Sequence, residues 1–150
     1  MERRHTDEEN AMTVTTPTIQ TATSGTRASS LRRSTVVVGL GAAAVTTAVA
    51  AAVHGAGVPL TVDGEMIPFA GFAQMTFLGA VLGGLLLAVL NRRSNVPRRR
   101  FLEATAALTA LSCVPSVAWP EDAATKIALV AMHLLAAAII VPVLARHAND

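Results

Sequence analysis

Four long stretches almost free of acids and bases constrain this chain more than any motif in it. Thr35 to Val53 is nineteen uncharged residues, and Ile67 to Leu90 is twenty-four. Phe101 to Trp119 is nineteen with Glu103 near its start, and Ile127 to Leu144 is eighteen with only His133 ionisable. At about 1.5 Å per residue, a helix of such length covers most or all of the ~30 Å hydrocarbon core of a bilayer. Helices this uniformly apolar have no polar face to offer water. The expected fold class is therefore all-α, an integral membrane bundle of four transmembrane helices with spans at about 35–53, 67–90, 101–119 and 125–145. The membrane domain is placed at 35–146, ahead of a short cytoplasmic C-terminus at 147–150.

Composition agrees, with 52% hydrophobic and 15% charged residues, where soluble domains carry roughly 25% charged. Residues 1–34 differ: they are rich in Ser and Thr, lack an apolar run, and hold acidic Asp7, Glu8 and Glu9 ahead of basic Arg27, Arg32 and Arg33. That composition predicts a disordered cytoplasmic tail, because it buries too little surface to offset the entropy of ordering. Arg32 and Arg33 before the alanine-rich first span loosely mimic an export signal, but the expectation is that the span is retained. Cys113 is the sole cysteine, which excludes an intramolecular disulfide and a thiolate zinc site.

Eleven Arg and one Lys give a pI near 9.5. Their positions at the ends of apolar segments argue for membrane orientation and against nucleic acid as a partner. With the N-terminus inside, nine arginines (Arg27, Arg32, Arg33, Arg92, Arg93, Arg98, Arg99, Arg100 and Arg146) flank the spans on the cytoplasmic side, against Lys126 alone outside. Positive residues are retained in the cytoplasm, so the chain is expected to be a multi-pass protein of the cell membrane with both termini cytoplasmic. Between the first two spans, Asp63-Gly64 within Pro59 to Pro68 predicts a tight turn between short extended flanks. Asp122 and Lys126 are spaced for a pair on one helix face, as are Arg99 and Glu103.

The weak Ala-rich first span, Arg92-Arg93 through Pro97-Arg98-Arg99, Leu111-Ser112 with Pro115, and Met132-His133 with Pro142 together resemble a bacterial family of small four-span proteins, domain-of-unknown-function family 6069. The likeness covers roughly Thr35 to Ala145. It implies the four-span architecture and supplies no activity and no functional residues.

Three groups of residues are candidate sites. In the second span, Gly79 and Gly83 form a small-xxx-small pair, repeated one residue on by Ala80 and Gly84, that lets another helix approach closely. Depths counted from the outer helix ends place Thr46, Thr47, Gln74, Ser112 and His133 in one polar layer, ~9–15 Å down. Such side chains commonly serve as interhelical hydrogen-bond partners, and an intramembrane histidine also titrates and binds ligands. Arg92, Arg93, Arg98, Arg99 and Arg100 are placed to meet anionic lipid headgroups. The acidic residues and His54 of the outer loops lack metal-ligand spacing, and no catalytic motif occurs, so neither metal, cofactor nor enzyme activity is expected. The leading expectation is a non-catalytic association or accessory protein whose partners are the lipid bilayer, anionic headgroups, and a second copy or an unidentified protein. The alternative is a small transporter or ligand-binding protein built on the layer around His133.

Overall fold

The computed structural model describes residues 22–149. The chain runs α1 (Ala22–Gly55), β1 (Thr61–Val62), β2 (Glu65–Met66), α2 (Phe69–Arg93), α3 (Pro97–Ala118) and α4 (Ala123–Ala145). Each helix is long and apolar enough to cross a membrane, α1 through its Ser29–Gly55 portion. The all-α, four-span fold class is observed.

Many bulky apolar side chains face outward, as they do not in a soluble bundle. Bulky residues such as Val37, Leu85 and Ile127 are 60–71% exposed, while Ala42, Ala50 and Ala80 are fully buried. In water such a surface is an aggregation liability. In lipid the acyl chains solvate it, and small residues inside let backbones close upon one another.

The α1–α2 contact shows that closure at atomic scale. A Cβ added at Gly39 would lie 3.0 Å from Ala80 Cβ and 3.1 Å from Phe77 Cδ2, and one at Gly84 would lie 2.7 Å from Thr35 Cγ2. At Gly84 the facing helix already occupies that space, and at Gly39 an added methyl would press on Ala80 and Phe77. Gly83 meets α4, where a Cβ would stand 3.3 Å from Leu144 Cδ1. Gly79 is a correction to the expected packing set: it faces open space. The Ala80–Gly84 register closes the bundle, and Gly79 is turned away from it.

Two clusters fill the interior. Leu31, Leu87, Phe101, Ile140 and Leu144 pack at the end carrying the arginines. Ala50, Leu60 and Met132 pack at the other, with Val53, Phe69 and Phe72 against them. Leu60 is fully buried at φ 50°, a left-handed conformation that bulky residues avoid. Burial of the side chain, worth about 1.5–3 kcal/mol, offsets that strain.

The connections follow from local chemistry. Thr61 pairs with Met66 and Val62 with Glu65, around Asp63 at φ 52° and Gly64 at φ 77°. Two consecutive positive φ values in a two-residue loop are the mark of a type I′ hairpin, as Asp-Gly predicts. Pro97 opens α3 at its first turn, where its missing N–H costs nothing. Asp122 caps α4 by accepting a 2.7 Å hydrogen bond from the Thr125 backbone N–H. That role replaces the expected pairing with Lys126, since the one ion pair among the described residues joins Arg99 to Glu103 at 2.8 Å.

The tail boundary is also corrected. Residues 22–34, expected to be disordered, continue α1 ahead of its apolar run, and residues 1–21 lie outside the described residues. Packing is the reason: Leu31 and Thr35 are buried, and Leu31 joins the cluster of Leu87, Phe101 and Leu144. Arg32 and Arg33 on the same turn remain exposed.

Candidate functional site

The expected polar layer resolves into two separate interhelical pairs. Thr46, fully enclosed on α1, shares a 3.0 Å hydrogen bond with Thr76 of α2 and donates 2.9 Å back to the Ala42 carbonyl. Thr47 bonds only within its own helix, to the Ala43 carbonyl at 2.8 Å. Gln74 does not join them: it is exposed on the outer side of α2. The phase of α2 explains this. Thr76 stands four residues before Ala80 on the face that meets α1, whereas Gln74 is two residues further back, about 200° around the helix from Thr76.

On the other side, half-buried His133 of α4 lies between its own helix and α3. Its Nδ1 is 2.8 Å from the Leu129 carbonyl and 3.4 Å from Ser116 Oγ. A carbonyl only accepts, so Nδ1 carries the proton and donates, while the Ser116 hydroxyl donates to the Ser112 carbonyl at 3.4 Å. Ser112 Oγ itself turns to the Thr109 carbonyl at 2.8 Å. The serine that meets His133 is therefore one turn nearer the α3–α4 connection than expected. Residues at equal distances from their helix ends share one depth only where the helices are level. In a level hairpin about the 119–122 connection, Ser116 would sit opposite residue 125. It instead meets His133, 17 residues away in sequence, which displaces the pairing by about 12 Å along α4. In the Nδ1–H tautomer, Nε2 is a free acceptor with no hydrogen-bond partner among the described residues.

A third polar cluster, absent from the sequence reading, joins three helices at the arginine-bearing end. His147 Nε2 is 3.1 Å from Ser34 Oγ of α1, and its Nδ1 is 3.1 Å from the Val143 carbonyl. Asn91 of α2 donates to the His147 carbonyl and accepts from the Asn149 N–H, both at 3.0 Å. Around it Arg32, Arg33, Arg92, Arg93, Arg98, Arg99, Arg100 and Arg146 are all exposed. Glu103 pairs with Arg99 alone. Sequence spacing held no signal for this clasp, because its bonded partners lie up to 113 residues apart.

His54 at the opposite end accommodates the Val58 carbonyl at 3.2 Å and packs edge-on against Phe69. No group of three His, Cys, Asp or Glu side chains suited to a metal ion forms among the described residues. Two shallow grooves open on the surface of the described residues. One is lined by Arg98, Arg99 and Leu102 with their neighbours, the other by Val117, Ile127, Val130 and Leu134, and His133 lines neither.

Comparison with known proteins gives a match to a family model described as "Family of unknown function (DUF6069)" over residues 26–150. No curated protein and no solved structure matches the chain.

Proposed function

For a chain that belongs to the family of unknown function DUF6069, we propose a non-catalytic membrane association protein that presents an arginine surface to anionic lipid headgroups. It lies in the cell membrane with both termini cytoplasmic. The observation that carries this reading is the exposure of Arg92, Arg93, Arg98, Arg99 and Arg100 around the α2–α3 connection, with Glu103 as their sole ion-pair partner among the described residues. Each basic side chain near a negative leaflet contributes on the order of 1 kcal/mol. Packing of Gly39, Gly84 and Thr46 against facing side chains gives the bundle a tight seam, which suits a protein that works by its surfaces.

Native mass spectrometry from mixed-lipid nanodiscs tests it. The wild-type chain retains phosphatidylglycerol or cardiolipin over phosphatidylcholine, and an Arg92→Gln, Arg93→Gln, Arg98→Gln, Arg100→Gln variant loses that preference severalfold. Equal retention by both chains would sink the reading.

The free Nε2 of His133 supports a second reading, a small transporter or ligand-binding protein that uses this ring. In that case His133→Gln, which keeps a donor and an acceptor, leaves thermal stability in detergent close to wild type yet abolishes binding of the ligand. If the ring is only an interhelical bond, His133→Leu loses about 0.6–2 kcal/mol and the glutamine variant retains most of it.

A further inference from the structure

We propose that a second copy of this chain docks along the outer face of α2, with Gln74 of each copy hydrogen-bonded to Gln74 of the other. Gly71, Gln74, Leu78, Val81 and Leu85 follow one another at spacings of three, four, three and four residues. That is the seam spacing of a left-handed helix pair. The seam is open: Gln74 is exposed, Leu78 is 48%, Val81 38% and Leu85 60% exposed. A Cβ at Gly71 would meet only Ile67 of its own chain, at 4.0 Å. Thr76, Ala80, Gly83, Gly84 and Leu87, centred about 150° around α2 from the seam, face the rest of the bundle, so the seam is not needed to close the monomer.

Gln74 selects the occupant. Its amide makes no hydrogen bond to any described residue. It lies about 7–8 Å along α2 from Phe69, within the apolar length of the helix. An amide facing hydrocarbon without a partner is costly, and interhelical glutamine bonds are a common remedy in lipid. The amide carries both a donor and an acceptor, so it is complementary to itself. Two chains inserted with the same topology hold Gln74 at the same depth. A two-fold axis along the membrane normal then brings the two amides face to face and sets Gly71 beside them, where the absence of a side chain allows close approach. A self-complementary patch related by a two-fold axis is how isologous dimers are built. Leu78, Val81 and Leu85 complete the contact below.

The inference gives the association reading a partner, but it uses a different surface from the arginines, so the two fail separately. The full chain in a Cys113→Ala background is reconstituted in phosphatidylcholine liposomes, where no anionic headgroup is present. Oxidation is expected to link copies through Leu78→Cys and Leu85→Cys and not through Gly79→Cys, which is exposed but off the seam. Energy transfer between labelled copies, followed as lipid dilutes them, gives the dissociation constant. Gln74→Leu is expected to weaken association about tenfold, and Gln74→Asn to retain it, with helical content by circular dichroism unchanged in all. Wild-type chains that stay monomeric, equal association by Gln74→Leu, or strongest linkage at Gly79→Cys would each overturn the proposal.

Discussion

Two glycines five residues apart on α2 separate packing from mere composition. Gly84 lies against Thr35 so closely that a methyl group would stand 2.7 Å from its Cγ2, whereas Gly79 meets nothing within 4 Å. Overpacking a filled contact costs typically 1–3 kcal/mol, because the neighbour must leave its rotamer or the helices must part. Thr35 has little freedom to move, being buried and hydrogen-bonded to the Leu31 carbonyl at 2.9 Å. Gly84→Val is therefore expected to lower the thermal midpoint in detergent by several degrees, and Gly79→Val to leave it nearly unchanged. Thermal unfolding followed by fluorescence of Trp119 or by circular dichroism checks both. Equal effects would mean that the Ala80–Gly84 register is not the one that closes the bundle. Both glycines were visible in the sequence as members of overlapping small-residue pairs. Which pair faces inward depends on the rotation of α2, and four nearly all-apolar helices carry little polar asymmetry from which to read it.

Among the elements, the ones legible in the sequence were those whose signals are local. The spans follow from apolar length, the hairpin from Asp63-Gly64, and the Arg99–Glu103 pair from a spacing of four. Their mutual placement is not local, and there the sequence reading diverged: Thr76 takes the place assigned to Gln74, Ser116 that of Ser112, and α1 continues back to Ala22. The last of these has a consequence at the arginine-bearing end. Ser34 sits on the extended part of α1 and reaches His147 beyond the end of α4, while Asn91 at the end of α2 holds the His147 carbonyl. These bonds join three helix ends, and the Asn91 side chain satisfies a carbonyl and an N–H past the helix terminus. Truncation after Arg146 is expected to speed hydrogen exchange at the end of α4 and along residues 29–35, with the Ala50–Leu60–Met132 cluster unaffected. Uniform exchange across the molecule after truncation would show that the clasp holds nothing in particular.

At the scale of the whole molecule, the distribution of charge is what supports the proposed orientation of an otherwise nearly featureless apolar bundle. Among the described residues, eight exposed arginines gather where the α2–α3 connection meets the outer flanks of α1 and α4. The opposite end holds the hairpin with Asp63 and Glu65, and the connection with Glu121, Asp122 and Lys126. Translocating that many arginines is disfavoured, whereas acidic residues contribute little to the choice, which is what supports the proposed orientation with the arginine end in the cytoplasm. Length does not oppose the assignment: the 25 residues of α2 span about 37 Å, enough for the hydrocarbon core and part of each interface. Trp119, 66% exposed where α3 ends, fits the headgroup level at the end away from the arginines. Labelling with a membrane-impermeant thiol reagent in a Cys113→Ala background puts the orientation to direct test. Gly64→Cys, at the exposed tip of the hairpin, is expected to react in intact cells. Ser94→Cys, between α2 and α3, is expected to react only once the membrane is opened. The reverse pattern would invert the bundle and place the arginine surface outside. Reaction of both sites in intact cells would mean that α2, the one span between them, does not cross as assigned.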